Sequence, residues 1–304
     1  MFEHEGKTFQ DELCRPYGLA RRAVRNYYEN ECEIIIVTGM PEGIGKSAYV
    51  HHGLADVQGF LNCHDKDLMK WMYKPIQERP QEQPIWKADY EGIKNLIKYP
   101  PDQVVNFLMD MLTREVRIPM WHWDDGGTHL ASMSYNDPFV VAFMEFLPLA
   151  RTVCGLVVIS SPVEEWVLKK LHTASGVIHC PIIKLGSNDH IWRPRQCKPY
   201  RKVKNIMAKH WYPQYQWQDE FSAIMPDSFY KWYKPMRDHY TKLAVAKMRL
   251  SLDKKKASGD STFLDEEVLG EIERTMAKTN DKLKEFKEVV AQHTDLAIPQ
   301  GDVS

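Results

Sequence analysis

Nine residues carry the clearest chemical signal in the chain: Gly39-Met40-Pro41-Glu42-Gly43-Ile44-Gly45-Lys46-Ser47. They follow an apolar, β-branched run from Glu33 to Thr38 and precede a segment whose pattern predicts a helix from Lys46 to about Val57. A strand that ends in a glycine-rich turn and opens a helix with Gly-Lys-Ser is built to cradle phosphate. Glycines let backbone N–H groups converge on the β- and γ-phosphates, and the helix N-terminus adds a partial positive charge. Lys46 supplies a mobile point charge and Ser47 a hydroxyl for Mg²⁺. The expected nucleotide-binding set is Gly39, Gly43, Ile44, Gly45, Lys46, Ser47 and Ala48, with ATP and Mg²⁺ as ligands. The spacing departs from the usual G-x-x-x-x-G-K-[ST] in one respect. The first glycine belongs where Met40 stands, so the loop is one residue longer, and Glu42 must point outward.

A second signal is Ile118 to Trp123, closed by Asp124-Asp125-Gly126-Gly127. A phosphate-binding loop needs an acidic group at a neighbouring strand end to hold Mg²⁺ through water. Asp124 is assigned to that metal shell together with Ser47, and Asp125 to polarising the attacking water. A third is Leu156 to Ile159, ending in Ser160-Ser161. A polar strand tip there is placed to hydrogen-bond the attacking water or the γ-phosphate, so Ser160 or Ser161 is expected to act as a sensor.

A fourth signal is of another kind. Arg193, Arg195, Lys198, Arg201, Lys202, Lys204 and Lys209 occur with no acid between them, interleaved with Tyr200 and flanked by Trp192, Trp211 and Tyr212. Cations meet phosphates and aromatic faces stack on bases, which suits nucleic acid. A solvated face, or contact with nucleotide on an adjacent subunit, would use the same composition.

The elements that must position these groups alternate. Helices are expected over 9–30, from Lys46, over Asp102 to Glu115, Pro138 to Val153 and Val163 to His172. Strands are expected at Glu33 to Thr38, Ile118 to Trp123, Leu156 to Ile159 and Val177 to Leu185. This alternation predicts a three-layer α/β core with a mostly parallel sheet. Residues 75–92, rich in Pro, Gln and Glu, read as a surface excursion. From Asp227 to His293 the pattern is helical, with Pro235 expected to kink or start a helix. Leu269, Ile272, Met276, Thr279, Leu283, Phe286 and Val290 form a heptad seam of about three repeats, which fits packing within the chain or an intermolecular coiled coil. The expected division is an N-terminal helix at 1–30, a core with a basic hairpin at 31–210, and a helical appendage at 211–304.

The order of motifs resembles the additional-strand class of P-loop ATPases, which set a further strand between the phosphate-loop strand and the acidic strand. Within that class, Trp123-Asp124-Asp125-Gly126-Gly127 and Val158-Ile159-Ser160-Ser161-Pro162-Val163-Glu164-Glu165-Trp166 look most like helicase loaders, transposition-helper ATPases and the ATPases of archaeal plasmids and viruses. The resemblance spans roughly residues 20–185. It implies that Lys46 binds phosphate, Asp124 supports Mg²⁺, and Ser160 or Ser161 senses nucleotide. The helix after the sensor strand ends Leu168-Lys169-Lys170-Leu171-His172, where relatives often carry an arginine finger. Either Lys170 substitutes, or Arg151, Arg193 or Arg195 serves, or hydrolysis is slow.

Composition bounds the partners. Forty Lys+Arg against forty-one Asp+Glu leave a net charge of −1, so any nucleic-acid binding must come from a local patch. With 43% hydrophobic residues and no apolar run of membrane length, neither a disordered chain nor a membrane span is expected. The six scattered cysteines read as reduced thiols, although a hairpin turning at Asn188-Asp189 would bring Cys180 and Cys197 opposite each other. A zinc site from His51-His52 and Cys63-His64 is not expected, because adjacent ligands on a helix point apart. The start, Met1-Phe2-Glu3-His4-Glu5, lacks a secretory layout, so a cytoplasmic protein is expected, virion-associated if viral. The expected partners are ATP, DNA or a DNA-bound protein, and further copies of the same chain. The expected function is a switch or loader ATPase in replication or transposition, with a translocating or packaging motor and a small-molecule kinase as alternatives.

Overall fold

The computed structural model describes residues 2–4, 7–9, 13–14, 18–63, 86–130, 136–172, 176–185, 194–204 and 211–257. In chain order the strands are β1 (Phe2–His4), β2 (Lys7–Phe9), β3 (Leu13–Cys14), β4 (Glu33–Thr38), β5 (Trp86–Lys87), β6 (Ile97–Lys98), β7 (Ile118–Trp123), β8 (Cys154–Ser161), β9 (Ile178–Lys184), β10 (Pro194–Cys197), β11 (Tyr200–Lys204), β12 (Trp211–Tyr215) and β13 (Asp219–Ser222). The helices are α1 (Gly18–Tyr28), α2 (Lys46–Asn62), α3 (Pro101–Thr113), α4 (Pro138–Phe146), α5 (Lys169–His172) and α6 (Asp227–Ala257).

Nine of these strands form one sheet, in the order β12-β11-β9-β4-β8-β7-β6, with β10 beside β9 and β13 beside β10. The five strands β9, β4, β8, β7 and β6 run parallel to their neighbours among themselves. The sheet is continued antiparallel through β10, β11, β12 and β13. The fold is therefore α/β with a mostly parallel sheet. The strand β8 lies between β4, which carries the glycine-rich turn, and β7, which carries the acid pair.

Alternation along the central strands separates two faces. Ile36, Trp121, Trp123, Val157 and Ile159 join one buried cluster with Val104, Phe107 and Met111 of α3 and Val140 and Phe143 of α4. The other face carries Ile35, Val37, Met120 and Val158, all fully buried, and meets α1 and α2. The β-branched run in β4 and the apolar strand β8 form central strands because both faces are covered, and a parallel strand buried on both sides needs no polar positions. Asp219 binds the start of α1 to the far edge of the sheet. Its carboxylate accepts from the amides of Gly18 (2.7 Å) and Leu19 (3.3 Å), from Tyr49 Oη (2.7 Å) and from Trp217 Nε1 (2.9 Å). Arg117 gathers five backbone carbonyls at the opposite end of the strands: Asn26, Tyr27, Glu31, Arg151 and Cys154.

Several boundaries differ from the sequence expectation. The first helix starts at Gly18, and two stretches before it are strands: β2, paired with β1, and β3, paired with β5. Its first amides are capped by a residue some 200 positions away, which no local pattern announces. The helix expected to reach Val153 stops at Phe146 and tightens into a 3₁₀ stretch, Leu147–Thr152, at Pro148. The 163–172 segment is a 3₁₀ turn, Glu164–Trp166, and the short α5. Within the supposed excursion, Trp86 is buried and donates to the Asp56 carbonyl at 2.8 Å. Residues 211–215 and 219–222 belong to the sheet as β12 and β13, and two compact units divide after Tyr230. The helix α6 begins at Asp227 and runs through Pro235. The heptad seam at 269–290 lies outside the described residues.

Within the expected 177–201 hairpin β9 and β10 pair antiparallel, with Lys184 opposite Arg195 and Ile182 opposite Cys197. That register places Cys180 and Cys197 diagonally, and both are buried free thiols in hydrogen-bond contact. Among the described residues no helix is long and apolar enough to cross a membrane.

The sheet edge supplies one stability prediction. Lys98 of β6 holds its ammonium 4.5 Å over the Phe107 ring, and burial pushes its pKa down from 10.5 to about 8, with nearby Asp110 opposing the shift. Below about pH 8 folded and unfolded chains both carry the proton, so the burial penalty is fully present; above about pH 10.5 neither does, and it disappears. Lys98→Met is expected to stabilise the fold near pH 7 by about 1–3 kcal/mol, with the gain fading as pH rises from about 8 to about 10.5. Urea unfolding of both proteins across that range tests this; a pH-independent difference would refute it.

Candidate nucleotide site

The glycine-rich turn leaves β4 and re-enters the backbone at α2 with two residues in the left-handed region, Gly43 (φ 78°) and Gly45 (φ 107°). Both positions favour glycine for that reason. Gly39 is glycine for a different one. A Cβ there would stand 3.0 Å from the Ile182 carbonyl oxygen of β9. The amide of Gly39 donates to Pro162 O at 3.4 Å, and Ile44 N to Pro41 O at 3.2 Å, which folds the turn back on itself. Lys46 is 8% exposed and its ammonium donates back across the loop to Gly39 O at 3.3 Å. Ala48 is buried on the first turn of α2, and Glu42 is exposed.

Three hydroxyl and carboxyl groups converge beside this loop. Ser47 Oγ donates to Asp124 Oδ1 at 2.8 Å, and Ser160 Oγ donates to the same oxygen at 2.9 Å. Ser160 Oγ in turn accepts from the Asp125 amide at 2.8 Å. Ser47 comes from the start of α2, Asp124 from the end of β7, and Ser160 from the end of β8. The additional strand thus brings a hydroxyl between loop and acid. Asp124 and Ser160 are buried, so the carboxylate depends on these donors. Asp125 takes a left-handed conformation (φ 53°), tolerated by Asp, as it leads into the 3₁₀ turn Gly126–Thr128. Ser161 faces elsewhere: its hydroxyl donates to Val163 O at 2.8 Å and its side chain fills the space a Cβ on Gly127 would need. Of the two sensor candidates, only Ser160 touches the acid.

Hard oxygen donors arranged in this way fit Mg²⁺. Ser47 and Asp124 would hold the ion, and the loop amides with Lys46 would take the phosphates. Behind Asp124 stand two histidines that the sequence reading did not connect with the site. His122 Nε2 lies 3.7 Å from Asp124 Oδ1, and His122 Nδ1 lies 3.3 Å from His51 Nε2. Burial holds the His122 imidazole below its usual pKa, with Asp124 pulling the other way. The available signal was parity: His122 and Asp124 are two apart on one strand and must share a face. His51 and His52 do point apart, His51 toward Met225 and His122, His52 toward Tyr90 and Ser222 O.

The basic stretch divides. Arg195 is 4% exposed and its Nε donates to Ile44 O at 2.9 Å, so its guanidinium lies on the glycine-rich loop and not on the surface. Arg201 pairs with Glu33, which also binds Arg22, and Lys202 pairs with Glu164. Lys198 and Lys204 are exposed. Arg193 and Lys209 lie outside the described residues. Lys170 and Arg151 are exposed, at α5 and before β8.

No family model matches the chain, and no curated protein matches it. Among solved structures, the chain is similar to the N-terminal domain of zonular occludens toxin from Neisseria meningitidis. The identity is 16%, over 66% of this chain and 98% of that chain, with a TM-score of 0.30.

Proposed function

We propose that the chain binds and hydrolyses ATP and couples that cycle to DNA or a DNA-bound partner, as a switch or loader in the replication or transposition of a mobile element or virus. The observation that supports the ATPase reading is the meeting of Ser47 and Ser160 on one oxygen of Asp124, beside the Lys46 loop. Ser47 and Asp124 would hold Mg²⁺, which would supply positive charge against the triphosphate. Lys46 and the loop amides bind and orient the triphosphate. Asp125, its backbone held by Ser160, orients the attacking water and accepts its proton. Ser160 joins the water-facing and metal-facing acids through one hydroxyl, so a change at either reaches the other. A homo-oligomer would let Lys170 or Arg151 of one copy reach a neighbour's nucleotide.

The DNA reading is supported by the β11–β12 hairpin. All five residues of β12 are exposed, including Trp211 (50%), Tyr212 (43%) and Tyr215 (66%). Lys198 and Lys204 are exposed on the adjoining strand segment, and residues 194–204 and 211–215 contain no acid. Aromatic faces beside unopposed cations suit stacked bases and phosphates.

Steady-state ATPase rates with and without single- and double-stranded DNA test this reading. Turnover is expected to rise severalfold with DNA, and Trp211→Ala with Lys204→Ala is expected to remove most of that rise while leaving the basal rate. A rate indifferent to both DNAs would favour a protein-directed switch or a kinase; strong stimulation with a closed ring would favour a translocating motor.

A further inference from the structure

The antiparallel half of the sheet, β10 with β13, abuts the phosphate loop. Arg195 lies opposite Lys184 of β9 and Phe221 of β13, so it and Phe221 project from one face of the extension. Arg195 Nε reaches the Ile44 carbonyl at 2.9 Å. A Cβ on Gly45 would meet Ala223 at 3.1 Å and the Phe221 ring at 3.5 Å, and that ring packs against Tyr49 one turn into α2. The loop therefore rests on two supports. The parallel strand β9 backs its start at Gly39, through Ile182, and the β10–β13 pair backs its end at Ile44 and Gly45. Each peptide plane fixes the carbonyl of one residue and the amide of the next. Holding the Ile44 carbonyl thus also fixes the direction of the Gly45 N–H, one of the amides that face phosphate in such a loop. Arg195 and the exposed arm are one length of chain, since β10 leads to β11 across Lys198 and Pro199.

We propose that Arg195 is a positioning residue for nucleotide: through Ile44 it sets the phosphate loop in its binding form, and it makes β10–β13 the route by which occupancy of the arm reaches that loop. This rests on the ATP reading above. The charged guanidinium donates to a neutral carbonyl inside a nearly closed contact, where a glutamine amide would offer a donor without the charge. The contact of Arg195 Nε is with the backbone of the loop at Ile44. Its loss should therefore weaken binding of ATP and ADP alike and leave the chemical step in place.

The full chain carrying Arg195→Gln or Arg195→Lys, compared with the unaltered chain, provides the test. Fluorescent ATP and ADP affinities, KM and kcat, and thermal unfolding would each be measured. Arg195→Gln is expected to raise both dissociation constants and KM about tenfold with kcat nearly unchanged, and Arg195→Lys to recover most of the affinity. ADP binding to the unaltered chain is expected to slow amide hydrogen exchange in 194–197 and 219–222, and to do so far less in Arg195→Gln. A merely structural role predicts the converse, a fall in kcat through loss of active protein with KM unchanged, and that result would overturn the proposal. So would unaltered nucleotide affinity in a folded Arg195→Gln protein. Absence of ATP binding by the unaltered chain would instead remove the ATP reading itself, so the two failures are separable.

Discussion

Lys46→Ala is expected to abolish ATP binding, weakening affinity by about 100-fold or more. The ammonium of Lys46 is almost withdrawn from solvent and spans the loop to the Gly39 carbonyl. It is the one cation that residues 39–47 themselves supply, and it would meet phosphate in a setting where water competes little. A charge pair of this kind contributes about 3 kcal/mol or more, which is two orders of magnitude in affinity. The fold should tolerate the change. Residue 46 is the first of α2, alanine is the best helix former, and the lost hydrogen bond is about 1 kcal/mol. Titration with a fluorescent ATP analogue, beside a thermal melt, decides it. Undiminished affinity in a folded variant would sink the site assignment.

Asp124→Asn should separate binding from turnover. The carboxylate is 1% exposed, and Ser47 and Ser160 both donate to one of its oxygens. Asparagine keeps the shape and one acceptor, so both hydroxyls can still find a partner. It lacks the charge that would hold Mg²⁺, and an amide carried in place of the second oxygen repels the cation. The expected result is ATP affinity within about fivefold of the original when Mg²⁺ is omitted, and turnover lower by roughly 10²–10³ when it is present. Turnover equal to that of the unaltered protein would show that Asp124 is a structural acid. Together the two variants give opposite patterns, loss of binding against loss of rate, and a general loss of folding produces neither.

The central strands were legible because their pattern is strong. Glu33 to Thr38 and Ile118 to Trp123 coincide with β4 and β7 to the residue. Long β-branched or aromatic runs admit few alternatives, and the helices between them follow from 3.6-residue periodicity. The edges were less legible. The β6 strand has two residues, and β10 to β13 mix Pro, Lys, Arg and aromatics without clean alternation, so their pairing depends on neighbours far along the chain. The same holds for the basic stretch. Composition groups Arg195, Arg201, Lys202 and Lys204 as one cationic run. Burial separates them, because strand alternation turns Arg195 inward to Ile44 while Glu33 and Glu164 meet Arg201 and Lys202.

By itself the sequence determined the α/β alternation and the place of the glycine-rich turn between strand and helix, because glycine conformational freedom and a strand-to-helix junction are local properties. It also named Asp124, a strand-end acid, and Ser160 or Ser161 without choosing between them. Tertiary structure alone decided that choice. Strand order sets β8 between β4 and β7, and neighbouring residues on a strand face opposite sides, so Ser160 meets Asp124 and Ser161 meets Gly127 and Val163. It alone also decided that His51 and His122 stand behind the acid, and that Arg195 of the basic stretch reaches Ile44 of the glycine-rich loop. These are contacts across 35 to 151 positions of chain, between groups whose partners no local pattern specifies.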